Sequence, residues 1–449
     1  MRNRNNSINI YKLVGLLIFT ILMSSINTYI TAFVYTFLIY YATKSNINSI
    51  KSIIIAFTIF FLNPGIVKIN TLIQFLRWIL LFTSLYIIIK NKNLYRKQNH
   101  IFIMMGFIWV IYNIGTSVLN SADILTSTLK IISFSMSFFI IVSSIDTKEY
   151  DWILWTLGYY TTLILLSIPL LFSPIGKLRN GKFFQGIWNH PNGFAVMLSI
   201  LAILSIYMLS SKRYNRYRTI IIFNLIISVL MLIMTESRTG IISFLVVSIV
   251  FLILNIKEKI FRGIEIKGIL IFLALSIIST IILVLYKDFI SDYLNNMIYK
   301  GEEGDLLYSS KEILDKLWED IKRRPILGNG FGVNSEINGP IGGFKMSSPV
   351  EKRNIILAIL SESGIVGFII FSIVILSMTH ILSRKKFSSK IDSLLIVLLM
   401  VNMSEMMFFS ANGIGIFIYF ILGIYKSEIY NSNIIEKETQ EFEESIIYN

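Results

Sequence analysis

Apolar runs long enough to cross a bilayer recur from the beginning of the chain to its end, and no water-soluble fold accommodates that pattern. A spanning helix needs about 20 mostly apolar residues, fewer when flanking groups help. The runs predict spans near 13–27, 28–43, 51–67, 71–89, 101–119, 129–145, 152–173, 192–210, 219–235, 239–256, 268–286, 355–382, 393–409 and 411–426. With the first and last pairs counted as optional, this is an all-α, polytopic helical bundle of about 12–14 membrane helices. Composition agrees: 54% of the 449 residues are hydrophobic and 15% charged, against about one quarter charged in a soluble domain. A cytosolic enzyme, a secreted binding domain and a disordered scaffold are all disfavoured.

The net charge of +14 reads as topology rather than nucleic-acid binding, because the cations gather in short loops between apolar runs. One set of loops holds Lys90, Lys92, Arg96 and Lys97, then Lys212, Arg213, Arg216 and Arg218. Further along come Lys257, Lys259, Arg262 and Lys267, then Arg384, Lys385, Lys386 and Lys390. All fall on one side, which the positive-inside rule makes cytoplasmic, with both termini there too. The opposite loops are poorer in charge. The basic start before Leu13 is not read as a signal peptide, since no small-residue cleavage site follows it.

This divides the chain into membrane helices over 1–286, a large extracytoplasmic loop over 287–354 and C-terminal membrane helices over 355–426. An acidic cytoplasmic tail over 427–449 is expected to fray. Inside the large loop Ser309-Ser310 can cap a helix. Ile313, Leu314, Leu317, Trp318 and Ile321 form an apolar stripe at helical spacing, and Pro325 ends it. Such an amphipathic helix lies on the membrane surface or covers a cavity.

Several polar residues sit where the pattern does not need them. Arg179 begins a stretch running through His190-Pro191-Asn192 into a span. Pro191 suits a first helical turn, and Asn189 or Asn192 can cap it. An arginine near a helix N-terminus favours an anion; an interfacial arginine beside an ordinary turn explains it equally. Glu236 and Arg238 lie in a turn with almost no loop, at membrane depth or its edge. They mark function, or form a pair locking two helices. Arg323-Arg324 and Lys345 are solvated charge or ligands of the large loop. Asn354, Ser361 and Gly364-x-x-Gly367 line a polar helix interface or simply permit close packing. Glu362 and Glu405 are acids within spans. His190 is a candidate general base or a capping residue. His100 and His380 carry no assigned chemistry.

The chain has no cysteine and three histidines, which argues against disulfides, thiolate clusters and a multi-histidine metal site. No Walker loop, dinucleotide fingerprint or HExxH occurs. Arginines near the outer face suit a diphosphate, which the guanidinium binds in bidentate fashion.

Four stretches in order resemble the O-antigen ligase/polymerase family of bacterial membrane glycosyltransferases. The first is Arg179-Asn-Gly…Gly186…Asn189-His190-Pro191-Asn192-Gly-Phe-Ala195, and the second Glu236-Ser-Arg238-Thr-Gly240. The third is Lys311…Trp318…Pro325-Ile-Leu-Gly328-x-Gly330-Phe-Gly332; the fourth is Arg353-Asn354…Leu360-x-Glu362-x-Gly364-Ile-x-Gly367. The resemblance implies a donor oligosaccharide on a polyprenyl diphosphate at the outer face of the bacterial plasma membrane, and an acceptor glycan. No cofactor, metal or nucleic acid is implied; a chain-length regulator and a flippase are candidate partners. By the resemblance, Arg179 and Arg238 hold the diphosphate and stabilise its charge as it leaves. Arg353 stands where the ligases carry histidine, and an arginine cannot act as a base. That favours a polymerase of repeat units over a ligase, with Arg353 as a third diphosphate contact and Glu236 or His190 as base candidates. Asn192, Lys311, Arg324, Asn354 and Glu362 complete the expected substrate-binding set. A lipid-linked oligosaccharide flippase is a further alternative.

Overall fold

A computed structural model describes residues 9–91, 99–121, 123–177, 183–260, 308–332, 352, 354–379, 389–404, 406–410 and 413–447. The expected span 268–286 and most of the large loop, including Lys345, lie outside the described residues, as do Arg179, Arg353, His380 and Glu405.

The described chain is helical throughout. In order it contains α1 (Ile10–Ile26), α2 (Thr28–Ala42), α3 (Asn46–Phe60), α4 (Thr71–Lys90), α5 (His100–Asn120), α6 (Ile124–Ser144) and α7 (Trp152–Ser167). Then follow α8 (Pro191–Leu209), α9 (Arg218–Met234), α10 (Arg238–Ile260), α11 (Tyr308–Arg323), α12 (Ile355–Thr379), α13 (Ser389–Ser404) and α14 (Gly415–Ile447). Among the described residues extended pairing is limited to the isolated bridges Leu62–Trp188 and Lys177–Phe184. Among the described residues seven helices are long and apolar enough to cross a membrane. The 20 residues of α4 rise about 30 Å, the thickness of a bilayer core. The protein is a multi-pass membrane protein.

Asparagine, abundant in the sequence, does much of the capping. The Oδ1 atoms of Asn9, Asn27 and Asn70 accept from Lys12, Ile30 and Ile73 N–H at 3.2, 2.9 and 3.0 Å. Asp123 and Asp151 cap α6 and α7 in the same way. Each satisfies one N–H that the first helical turn leaves open. Asn27 alone separates α1 from α2, so these two short helices form a tight hairpin.

Among the boundaries that differ from the expected spans, three have a clear local reason. The 51–67 run stops being helix at Phe60, because Asn63-Pro64-Gly65 forms a turn held by Gly65 N–H donating to Asn63 Oδ1 at 2.9 Å. The 393–409 run stops at Ser404, where Asn402 Oδ1 takes N–H groups of Met407 and Phe408 at 3.1 and 2.8 Å. The acidic tail does not fray in backbone terms: α14 continues to Ile447. Neither proline nor glycine interrupts 424–447, and its Glu, Lys and Gln residues favour helix.

The centre of the bundle is α7 and α8, buried over 72% and 78% of their most apolar windows; α9 and α5 are buried over only 28% and 33%. The outer helices turn Phe75, Phe82, Phe107 and Ile226 outward, as lipid-facing surfaces do. Beside the centre, Trp109, Phe134, Phe138, Phe371, Phe408 and Phe409 form one aromatic cluster, with ring centroids 5.1–6.0 Å apart.

Alternation of the helices sorts the connections between two ends. At one end Arg213 pairs with Asp151 at 2.6 Å and faces Glu428 at 3.9 Å, while Lys426 donates to Asn99. Burial alone would lower the Arg213 pKa, but Tyr214, Asp151 and Glu428 outweigh it and hold it above its ordinary value. The other end carries the residues of interest, and α8 brings its N-terminus to the middle of it.

Candidate functional site

The site end is assembled from two docked pairs of segments. The first pair joins the α8 approach to the α9–α10 turn. Phe184 N–H donates to the Met234 carbonyl at 3.1 Å. One turn into α10, Gly240 lies against Ala195, and Ser199 Oγ donates to the Gly240 carbonyl at 2.9 Å. A Cβ at Gly240 would meet Ala195 and Leu232 at 2.8 Å. The close approach sets the start of α10, with Arg238 as its first residue, beside the start of α8. Two helix N-termini, each a partial positive charge, therefore lie close together at this end, with half-buried Arg238 the first residue of one of them.

Pro191 takes the first position of α8, as expected, but the cap is His190 rather than Asn189 or Asn192. His190 Nδ1 accepts from Asn192 N–H at 3.2 Å. An Nδ1 that accepts is unprotonated, so the neutral ring carries its proton on Nε2. His190 is exposed, and Asn192, whose N–H it takes, is half-buried. Glu236 is also half-buried and holds a left-handed backbone (φ 51°) between buried Thr235 and Ser237. A non-glycine residue there costs about 1–3 kcal/mol and points to a constrained site.

The second pair joins the turn after α11 to a break in α12. Gly364 has φ 64° and ψ −172°, a conformation open essentially to glycine alone. The break frees backbone groups, and 325–330 takes them. Asn329 and Gly330 N–H donate to the Ser361 and Glu362 carbonyls, both at 3.0 Å, and Ile365 N–H donates to the Pro325 carbonyl at 2.9 Å. Gly328 and Gly364 face each other so closely that a Cβ on either would collide with the opposite backbone. Helix α5 secures the joint: Asn120 Nδ2 donates to the Gly328 carbonyl at 3.1 Å and Tyr112 Oη to the Ser363 carbonyl at 2.8 Å. Phe331 then plugs the aromatic cluster beside Trp109 and Phe409.

The amphipathic helix forms as read, with Leu317 buried and Trp318 half-exposed, and it packs on α12. It already runs at Ser309 and Ser310, which lie inside it rather than cap it. Lys311 is in its first turn. Arg324 Nη1 donates to the Asn120 carbonyl at 2.6 Å, so it fastens the turn to α5. Asn354 caps α12 through Oδ1, accepting from Ile356 and Leu357 N–H at 2.9 and 3.1 Å. Its Nδ2 donates to the Met403 carbonyl at 3.0 Å, tying α12 to the end of α13. Glu362 is 0% exposed; Lys352, 7% exposed, lies 3.4 Å from its Oε1 and donates to Ser361 Oγ at 2.9 Å. Of the expected substrate contacts, then, Arg324 fastens the glycine turn to α5, Asn354 ties α12 to α13, and Glu362 pairs with Lys352. Lys352 was missed in the sequence, where it is one cation in a charged tetrapeptide before a span.

The α13–α14 turn links the pairs. Met403 receives Asn354, and Ile414 sits where a Cβ on Gly193 would be. Among the described residues no cluster of three His, Asp or Glu could hold a metal ion.

A comparison with family models matches residues 223–372 to the family described as O-antigen ligase. The match runs from α9 through the Glu236–Gly240 turn and the glycine turn to the α12 break; the His190 segment precedes it. No curated protein matches the chain. Over residues 223–372 the chain is similar to the O-antigen ligase family, and the match supports an O-antigen ligase/polymerase-like family.

Proposed function

We propose that this protein is a metal-independent membrane glycosyltransferase that joins polyprenyl-diphosphate-linked repeat units into a surface polysaccharide at the outer face of the plasma membrane. The observation that carries this reading is the placement of Arg238. It begins α10 beside the start of α8, so a guanidinium and two helix N-termini offer positive charge to one anion. A lipid diphosphate fits that need. In the reaction an acceptor hydroxyl attacks the anomeric carbon, the bond from that carbon to the diphosphate oxygen breaks, and negative charge grows on the leaving diphosphate. Donors fixed toward that charge lower the barrier more than they strengthen binding. Arg179 and Arg353 are proposed as further diphosphate contacts.

The geometry divides the base candidates. While His190 Nδ1 caps α8, its Nε2 is a donor, suited to a sugar or phosphate oxygen rather than to proton abstraction. Glu236, two residues from Arg238 and half-buried, is the proposed base. Asn192 and Lys311 remain proposed substrate contacts. The family description is equally consistent with a second reading, ligase transfer of a finished glycan; the arginine at 353 favours the polymerase.

The test is a substitution series in cells with the protein's level in the membrane measured in parallel. Arg238→Lys keeps the charge and loses the fork; it is expected to cut polymer output at least 100-fold, about 2.7 kcal/mol, the scale of one preorganised donor. Glu236→Gln is expected to fall by a similar factor, and His190→Ala by about 10-fold or less. Full-length polymer from Arg238→Lys at normal protein level would remove the diphosphate clamp.

A further inference from the structure

Beside the proposed reaction centre, at the same end of the bundle, lies an open groove of about 1150 Å³. It runs between the α3–α4 turn and the segment that leads from α7 to α8, and nothing in the reaction as described uses it. Its walls are built rather than incidental. Asn63 fixes one side, donating through Nδ2 to the Ile175 carbonyl at 2.7 Å and accepting Gly65 N–H at 2.9 Å. Bridges Leu62–Trp188 and Lys177–Phe184 brace the other.

Three features of the lining point to one ligand class. Gln185 is only 6% exposed, yet its Oε1 has no hydrogen-bond partner among the described residues, and its Nε2 reaches the Ile175 carbonyl only at 3.5 Å. A buried amide with unused capacity needs an explanation, and a bound ligand is one. Asn189, exposed at the groove's inner end, adds a second amide next to the His190 cap. Phe172, 90% exposed, stands with Pro64 and Pro174 as an apolar rim. Amides that both donate and accept match neighbouring hydroxyls; ring faces match the C–H face of a pyranose. Lys177 is the one charged side chain among the described lining residues. The volume exceeds the usual small-ligand range of about 300–1,000 Å³, so it suits several sugars rather than one.

We infer that this groove is an oligosaccharide subsite, in which Asn189 and, after a side-chain rotation, Gln185 hydrogen-bond sugar hydroxyls and Phe172 carries a ring, leading the glycan past His190 to the reaction centre. The inference rests on the glycosyltransferase reading for its substrate class.

The test uses the full-length protein in nanodiscs. The probe is a two-repeat oligosaccharide cut from the host's own surface polysaccharide, with inorganic pyrophosphate as the comparison, and saturation-transfer NMR gives the affinities. Phe172→Ala, at an exposed position, and Gln185→Leu are expected to weaken oligosaccharide binding at least tenfold while pyrophosphate binding stays unchanged. Wild-type oligosaccharide affinity in the folded Phe172→Ala protein and in Asn189→Ala would overturn the subsite. So would a groove in which only Lys177→Gln matters and pyrophosphate displaces the sugar, which would make it a phosphate site. Binding that follows the groove variants, in a strain whose glycan is unaffected by loss of the gene, would uphold the subsite and overturn the enzymatic reading instead.

Discussion

Gly364 shows how one residue can decide whether a site exists. With φ 64° and ψ −172° it breaks α12 and frees the carbonyls that 325–330 needs, and its Cα faces the Ile326 carbonyl. Gly364→Ala should cost about 1–3 kcal/mol from backbone strain alone, with the collision added. The expected result is a large drop in melting temperature in detergent and loss of protection of the 325–332 turn from proteolysis. An unchanged melting temperature would mean the two segments do not dock this way. Lys352 and Glu362 make a second residue-scale case. Removing one partner of a buried pair costs about 3–5 kcal/mol, because the other charge is stranded. Glu362→Gln and Lys352→Met should each destabilise strongly, and the double variant should be more stable than either. Additive losses would show that the two do not interact.

At the scale of elements, the spans were legible because burial in lipid imposes a length and a polarity on every helix. Most helix starts and ends fall within a few residues of the apolar runs. What escaped were the turns. Asn63-Pro64-Gly65 and Asn402 end helices inside apolar runs, because turn residues can override a hydrophobic stretch. The four motif stretches were visible, but not which of them touch. Sequence order does not reveal that the third and fourth dock backbone to backbone across Gly328 and Gly364, nor that Arg324 and Asn354 bond carbonyls of the protein itself. Gln185 was hidden for a related reason: an amide in a polar stretch is ordinary until its burial is known. The helix caps make an element-scale prediction. Asp151→Asn keeps the α7 cap and weakens the partly buried pair with Arg213, so it should cost under about 1 kcal/mol. Asp151→Ala loses both and should cost about 1 kcal/mol more, read as melting temperature.

For the whole molecule, alternation of the helices puts the start of α1 and the end of α14 at the end that holds Lys90, Lys212, Arg213, Arg216 and Lys390. We propose that this end is cytoplasmic, the side the positive-inside rule favours. Reporter fusions at both termini should therefore be active only as cytosolic reporters, and an extracytoplasmic signal from either would invert the orientation. With that proposed orientation the docked segments, the start of α8 and the groove all face the side on which the proposed polymerisation takes place. The most direct measurement deletes the gene, extracts the lipid-linked saccharides and sizes the surface glycan on a gel. The account predicts single repeat units on lipid or acceptor with no ladder, restored by the wild-type gene and not by Arg238→Lys. A normal ladder left on the polyprenyl carrier would contradict it and make the protein a ligase.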